Sequence, residues 1–209
     1  MSLLDFGVLA FGSLFVIVDP IATVPAFLAM TNGKSREERI AIAKVAASVT
    51  FLVLFAFSLG GQWVLRFFGV TIPAFEIAGG IILLKVALDM LQARRPAMRE
   101  TPEEQAEGAR KEDIGVTPLA VPMLAGPGAI SAVVLLRGQA ATFAHFLVLV
   151  AVVAAISLLV FLIFRMAATH VALFSGIGIR VTERLMGLLL AAIAVQFVLN
   201  GLIKIDIFR

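Results

Sequence analysis

Residues 16–25 read VIVDPIATVP, and they lie inside a longer stretch, 6–33, whose only charged residue is Asp19. Prolines are unusual within an apolar run, because each removes a backbone amide donor and its ring clashes with the carbonyl four residues earlier. A carboxylate in a membrane is costly and is usually functional. The stretch therefore predicts an interrupted membrane helix whose interruption serves the function of the protein.

The composition places the whole chain in a membrane. Of its 209 residues, 61% are hydrophobic and 15% are charged, and the mean hydropathy is +1.05. A soluble domain has about 45–50% apolar and 25% charged residues. A helix needs about 20 apolar residues to cross a bilayer. Runs of that length predict an all-α membrane protein with six spans, at 6–31, 41–65, 72–92, 116–136, 143–165 and 183–204.

Several function classes are excluded by the residue content. The chain has no cysteine, so disulfides and cysteine-ligated metals are excluded, and its two histidines are not spaced as metal ligands. We expect no metal, no cofactor and no enzymatic activity, because no nucleophile, base or metal cluster is recognisable. The net charge is only +3, and the basic residues fall in short loops. We therefore expect no nucleic-acid partner.

The basic residues predict the orientation of the spans. If the N-terminus is outside, the cytoplasmic loops contain twelve basic residues and the outer loops four. Basic residues concentrate in short loops on the cytoplasmic side. We therefore expect a multi-pass protein of the inner (plasma) membrane with both termini outside, on the periplasmic face.

The chain resembles itself at an offset of 107 residues. Residues 67–91 align without gaps on 174–198 with seven of 25 positions identical, among them Glu76 on Glu183 and Gly80 on Gly187. The same offset places Pro20 on Pro127 and Thr50 on Ser157. Each half has three predicted spans, so the halves enter the membrane from opposite sides, as in many secondary transporters. This predicts one transmembrane domain, 1–209, with repeats 1–92 and 116–209 and a cytoplasmic connector, 93–115.

The two interruptions predict a shared binding site at mid-depth. The second reads AVPMLAGPGAIS (120–131). Free backbone groups in a span are tolerated only in protein or at a polar cavity. New helix N-termini favour an anion, and the preceding carbonyls favour an ammonium group, so a zwitterion fits. Small side chains favour a small neutral substrate. The predicted substrate-binding residues are Asp19, Pro20, Ile21, Ala22, Thr23, Gly126, Pro127, Gly128, Ala129 and Ser131.

Structural alternatives exist for these residues. Asp19 directly before a proline is a strong helix-cap signal, and capping and ligand contact can coexist. The prolines can kink helices for packing. The threonine and serine hydroxyls can bond their own helix backbones.

Further polar residues within the predicted spans are candidates for ion coupling or for lining the cavity. Glu76 has a structural alternative, as a first-turn acid that stabilises its helix N-terminus. Lys85 and Asp89 can form a structural pair rather than a proton relay. The amide side chains can join helices instead of lining a cavity. The full set is Asp19, Glu76, Lys85, Asp89, Gln196 and Asn200.

The segments DPIATVPAFLAMT (19–31) and PLAVPMLAGPGAIS (118–131) resemble the two signature segments of the MarC family of bacterial and archaeal inner-membrane proteins. The resemblance extends over the chain, including EIAGGIILLKVALDML and ERLMGLLLAAIAVQFVLNG. It implies a transporter of small neutral amino acids such as glycine and alanine. The usual family motif has Gly-Asn where this chain has Ala22 and Thr23, which removes an amide side chain from the site.

These observations predict a secondary active transporter that works by alternating access. Coupling to H⁺ or Na⁺ is expected, because no nucleotide-binding motif occurs. The expected partners are the lipid bilayer and the amino-acid substrate, and a homo-oligomer is left open. The alternative is a channel or exporter for ions or small solutes with the same broken helices.

Overall fold

Every regular segment in the part of the chain that the structure describes is helical. The computed structural model describes residues 1–91, 114–170 and 177–205, without the side chains of 89–90 and 177–183. Nearly all of the predicted connector lies outside these residues. The segments are α1 (Leu3–Val18), α2 (Val24–Met30), α3 (Arg36–Phe67), α4 (Ile72–Leu91), the π-helical segment α5 (Gly115–Leu124), α6 (Pro127–Gln139), α7 (Phe143–Thr169) and α8 (Ile177–Lys204).

Local side-chain chemistry starts the long helices. Ser2 caps α1 and Ser35 caps α3, and each accepts a hydrogen bond from the backbone amide three residues later. The acids at those third positions, Asp5 and Glu38, bond back to the capping backbone, which completes a capping box. Thr142 accepts from the His145 amide at the start of α7. These caps satisfy amides that have no partner within the helix.

Two helix pairs, α4 with α8 and α3 with α7, make the most extensive contacts among the described elements. Helix α1 contacts both α6 and α7. Phe27 of α2 stacks on Phe164 of α7 with ring centroids 4.5 Å apart, and both are fully buried. Large apolar side chains such as Leu52, Leu158 and Leu188 point outward. An apolar exterior of this kind suits lipid rather than water.

Length and composition identify three helices that can cross a bilayer among the described residues. They are α3, α7 and the part of α8 from Arg184 to Lys204. The segments α5 and α6, bent by 60° at their junction, add a fourth span if they are counted as one. Helix α1 is shorter, at 16 residues, and α4 carries three charged residues within 20. By length and composition, three or four of the six predicted spans are therefore found among the described helices.

Candidate functional site

The first interruption lies between α1 and α2. Helix α1 ends at Val18, and the next residue, Asp19, takes the left-handed backbone conformation with φ 47° and ψ 65°. Its amide still donates to Phe15 O at 3.0 Å. Non-glycine residues rarely adopt this conformation, although aspartate is among those that tolerate it best. The helical path is resumed only at Val24.

The side chain of Asp19 is buried inside this interruption, with 2% of its surface exposed. Its Oδ1 atom accepts a hydrogen bond from the Ala22 amide at 3.2 Å. The Thr23 hydroxyl donates to the Asp19 carbonyl at 2.9 Å. Asp19 thus stabilises the turn between α1 and α2. It does not cap α2, whose N-cap residue is Thr23, so the predicted helix cap is not formed. The Thr23 hydroxyl bonds the backbone of its own segment, which is the structural alternative predicted for the threonine and serine hydroxyls. Contact of either residue with a substrate stays a prediction.

The second interruption separates α5 from α6. Within α5 the backbone is extended at Thr117 and Val121, each of which precedes a proline in a cis peptide bond. Proline disfavours a helical conformation in the residue before it. The segment ends at Leu124, and α6 begins at Pro127. The chain therefore changes direction between two helical segments rather than continuing as one rod.

The start of α6 presents bare backbone. Gly126, the residue before the helix, is extended with φ −75° and ψ 175°, and no side chain caps the helix. A Cβ atom at Gly126 would overlap the Pro122 carbonyl oxygen. A Cβ atom at Gly128 would lie 2.5 Å from Leu83 Cδ2. At Gly126 backbone atoms occupy the space of a side chain, so glycine is required there. At Gly128 the end of the flexible Leu83 side chain occupies that space.

A small cavity adjoins this helix start. Its volume is about 40 Å³. Residues from α1, α4, α5, α6 and α8, together with Gly126 between α5 and α6, form its wall: Ile17, Ile82, Leu83, Val86, Pro122, Met123, Leu124, Gly126, Pro127, Gly128, Ala129 and Leu190. For comparison, a cavity of roughly 150 Å³ accepts benzene in another protein. The cavity suits only a very small ligand.

The structure brings together four of the ten predicted binding residues around the cavity, Gly126–Ala129. The first interruption is not part of the wall, to which α1 contributes Ile17 instead. Ser131 is buried further along α6, where it faces Gly79 of α4. The sequence predicts that both interruptions form one pocket. In the structure the second interruption lines the cavity and the first does not.

None of the residues predicted for coupling or lining whose side chains the structure describes lies in the cavity wall. Lys85 is exposed on α4, and Gln196 is exposed on α8 with its amide donating to Asn200 Oδ1 at 2.8 Å. Because both residues lie on α8, this hydrogen bond does not join two helices, and neither residue is in the cavity wall. The side chains of Asp89 and Glu183 lie outside the described residues.

Glu76 is buried, and its surroundings differ from the structural alternative. It lies past the first turn of α4, which contains no acid. The helix-terminus interpretation is therefore wrong for this residue. Instead, Lys204 at the end of α8 donates from Nζ to Glu76 Oε1 at 2.5 Å. Sequence reasoning missed Lys204 as a partner, because 128 residues separate the two and no local pattern connects them.

Long apolar helices, an apolar exterior and an interrupted helix beside a small cavity define an integral membrane protein. More specifically, the chain belongs to the MarC family. The family described as "MarC family integral membrane protein" matches residues 4–205. This confirms the resemblance carried by the two signature segments.

Relatives of similar length occur in archaea and bacteria. The UPF0056 membrane protein MJ1677 of Methanocaldococcus jannaschii is 38% identical over 95% of this chain and 97% of its own. The UPF0056 membrane protein YvbG of Bacillus subtilis is 37% identical over 95% and 94%, respectively. The UPF0056 membrane protein YhcE of Escherichia coli is 32% identical over 92% and 89%. No solved structure matches the chain.

Proposed function

We propose that the protein is a secondary active transporter that moves small neutral amino acids across the inner membrane by alternating access. The observation that supports this most is the cavity at the start of α6, whose wall includes the backbone of Gly126–Ala129. Uncapped first-turn amides carry partial positive charge and favour a carboxylate. The small volume and the glycines favour substrates of the size of glycine or alanine.

The architecture supports a transporter with two inverted repeats. On this proposal α1 and α2 together form the first span, and α5 and α6 together form the fourth. The most extensive contacts pair α3 with α7 and α4 with α8. These are the elements that the 107-residue offset equates, and inverted repeats commonly pack about a pseudo-two-fold axis. The proposal thus retains six spans in a 3 + 3 repeat with both termini outside.

Asp19 supplies the candidate for substrate or ion contact from the first repeat. A buried carboxylate within an interrupted span is expensive unless it is used. Ile17, two residues before it, reaches the cavity wall. A movement of the end of α1, of the kind that alternating access requires, would bring Asp19 to the cavity. H⁺ or Na⁺ is the coupling ion in this proposal.

A channel or exporter with the same broken-helix site is the alternative. Counterflow in liposomes distinguishes the two. Purified protein is reconstituted with unlabelled glycine inside, and the uptake of external radiolabelled glycine, alanine or threonine is measured with and without H⁺ and Na⁺ gradients. A carrier accumulates label transiently against its gradient, and a channel only equilibrates it. Absence of uptake of all three, with folded protein, would contradict the proposal.

A further inference from the structure

One face of α4 connects the cavity with a buried acid. Glu76 and Leu83 are seven residues apart, so they lie on the same side of the helix, with an axial separation of roughly 10 Å. Leu83 forms part of the cavity wall. Between them lie Gly79 and Gly80, which are both buried. The face therefore offers no bulky side chain between the acid and the cavity.

Helices α6 and α8 close this face from two sides. A Cβ atom at Gly79 would lie 3.3 Å from the Ser131 hydroxyl oxygen of α6. A Cβ atom at Gly80 would lie 2.7 Å from the Ala194 carbonyl of α8. A Cβ atom at Gly201, further along α8, would lie 3.3 Å from Glu76 Cβ. Helices α6 and α8 thus pack closely on this face between the cavity and Glu76, and the Val198 side chain also adjoins Gly80.

Glu76 has an incompletely satisfied carboxylate. Only 2% of its side chain is exposed, and Oε1 accepts from Lys204. Its second oxygen, Oε2, is buried and has no hydrogen-bond partner within the described part of the chain. A buried charge that lacks partners is strongly unfavourable. The Lys204 side chain is 44% exposed, so its ammonium group can leave the acid for water without crossing the bundle.

We propose that Glu76 is a second ligand site, for a primary ammonium group, and that Lys204 occupies it as a tethered substitute when no ligand is present. Exchange of Lys204 Nζ for the ammonium of a transported amino acid keeps the carboxylate paired. It also releases the contact that holds α8 to α4 at this end of the bundle. This inference rests on the proposed function for the identity of the ligand, whereas the ammonium site itself can be tested without transport.

Arg137 of α6 is a further cation near this end of α4, since Gly138 beside it faces Ile72. Its guanidinium carbon lies 5.0 Å from the centre of the Phe146 ring of α7. This cation–π contact engages Arg137 with α7 rather than with Glu76. Lys204 is accordingly the residue to remove in the test.

Chemical rescue tests the site without transport. The full-length variants Lys204→Ala and Glu76→Gln/Lys204→Ala are purified in detergent, and Tm is measured with methylammonium chloride or with NaCl at the same ionic strength. Ligand that binds only the folded state raises Tm, by about 3–6 °C at roughly ten times Kd. We expect methylammonium to raise the Tm of Lys204→Ala and to leave the double variant unchanged. Equal shifts in both variants, or none in either, would overturn the proposal.

Transport then tests the role of the site. Glycine counterflow is compared for wild type, Glu76→Gln and Arg66→Gln, which removes an exposed charge at the same end of the bundle. We expect Glu76→Gln to lose at least about tenfold in counterflow and Arg66→Gln to remain close to wild type. Wild-type rates in Glu76→Gln would refute the second site. If wild type itself shows no counterflow, the proposed function fails, and the methylammonium measurement alone decides the ammonium site.

Discussion

Leu83 of α4 fills the space that a side chain at Gly128 of α6 would need. A Cβ atom on Gly128 would lie 2.5 Å from Leu83 Cδ2 and 3.6 Å from Ile17 Cγ2. Three helices therefore meet at the second residue of α6, beside the uncapped helix start. All three residues belong to the cavity wall, so a change at this contact alters the cavity.

Gly128→Ala should impair transport more than it impairs folding. The displaced atom is the end of a flexible side chain, so Leu83 can move, but it then moves into the cavity. Alanine is also the better helix former. We expect Tm to change by no more than a few degrees and glycine counterflow to fall about tenfold. Gly12→Ala in α1 is the matched control, since no atom lies within 4 Å of its added Cβ. Equal counterflow in both variants would contradict the placement of the site.

Gly80→Ala should destabilise the protein. Its added Cβ would meet backbone, with Ala194 O at 2.7 Å and Val198 N at 3.1 Å, so α4 and α8 must separate. Overpacking of this kind costs about 1–3 kcal/mol. For a chain of this size that corresponds to a decrease in Tm of roughly 2–12 °C in detergent. Gly60→Ala in α3, where the added Cβ meets nothing within 4 Å, should keep or raise Tm. A stable Gly80→Ala variant would show that the two helices pack less closely than described.

Asp19→Asn separates the role of this residue in the turn from its charge. Asparagine tolerates the left-handed conformation and keeps an oxygen that can accept from the Ala22 amide, so we expect a near-normal Tm. Loss of the carboxylate should reduce glycine counterflow at least about tenfold. Asp19→Ala, which also loses the hydrogen bond in the turn, should be less stable by about 1–2 kcal/mol. If Asp19→Asn transports like wild type, Asp19 only stabilises the turn.

Single cysteines should report the orientation of the chain, which has no native cysteine. Asn32, Thr71 and Ala141 are exposed positions in connections between helices. With both termini outside, a membrane-impermeant maleimide should label Asn32→Cys only from the cytoplasmic side. Thr71→Cys and Ala141→Cys should be labelled only from the outside. Labelling of Asn32→Cys and Thr71→Cys from one common side would exclude α3 as a span.

Features that depend on neighbouring residues, or on the mean hydropathy of a long segment, are predicted well from the sequence. The hydrophobic runs at 41–65 and 143–165 are long enough that burial in lipid dominates, and α3 and α7 include both. The two signature segments identified the family correctly. The hydrogen bond from the Ala22 amide to Asp19 is local, because it joins residues only three apart, but it closes a turn and is not the cap of α2 that the Asp19-Pro20 pair predicts.

The rest depends on how helices rotate and pack, which periodicity alone does not determine. For Glu76 the structural alternative is a role at its own helix terminus, yet its partner is Lys204 of a different helix. Lys85 and Gln196 are candidates for coupling or cavity lining, and both are exposed. The cavity wall includes the apolar residues Leu83 and Leu190, which no sequence pattern separates from other core leucines.

Access to the cavity from both sides of the membrane tests the central claim most directly. Ala129, in the cavity wall, is 2% exposed and can be replaced by cysteine with little change in volume. In oriented vesicles, a small impermeant maleimide applied on either side should react slowly with Ala129→Cys, and saturating glycine should slow both reactions at least about tenfold. Reaction from one side only, at a rate that glycine does not change, would contradict an alternating-access site at the start of α6.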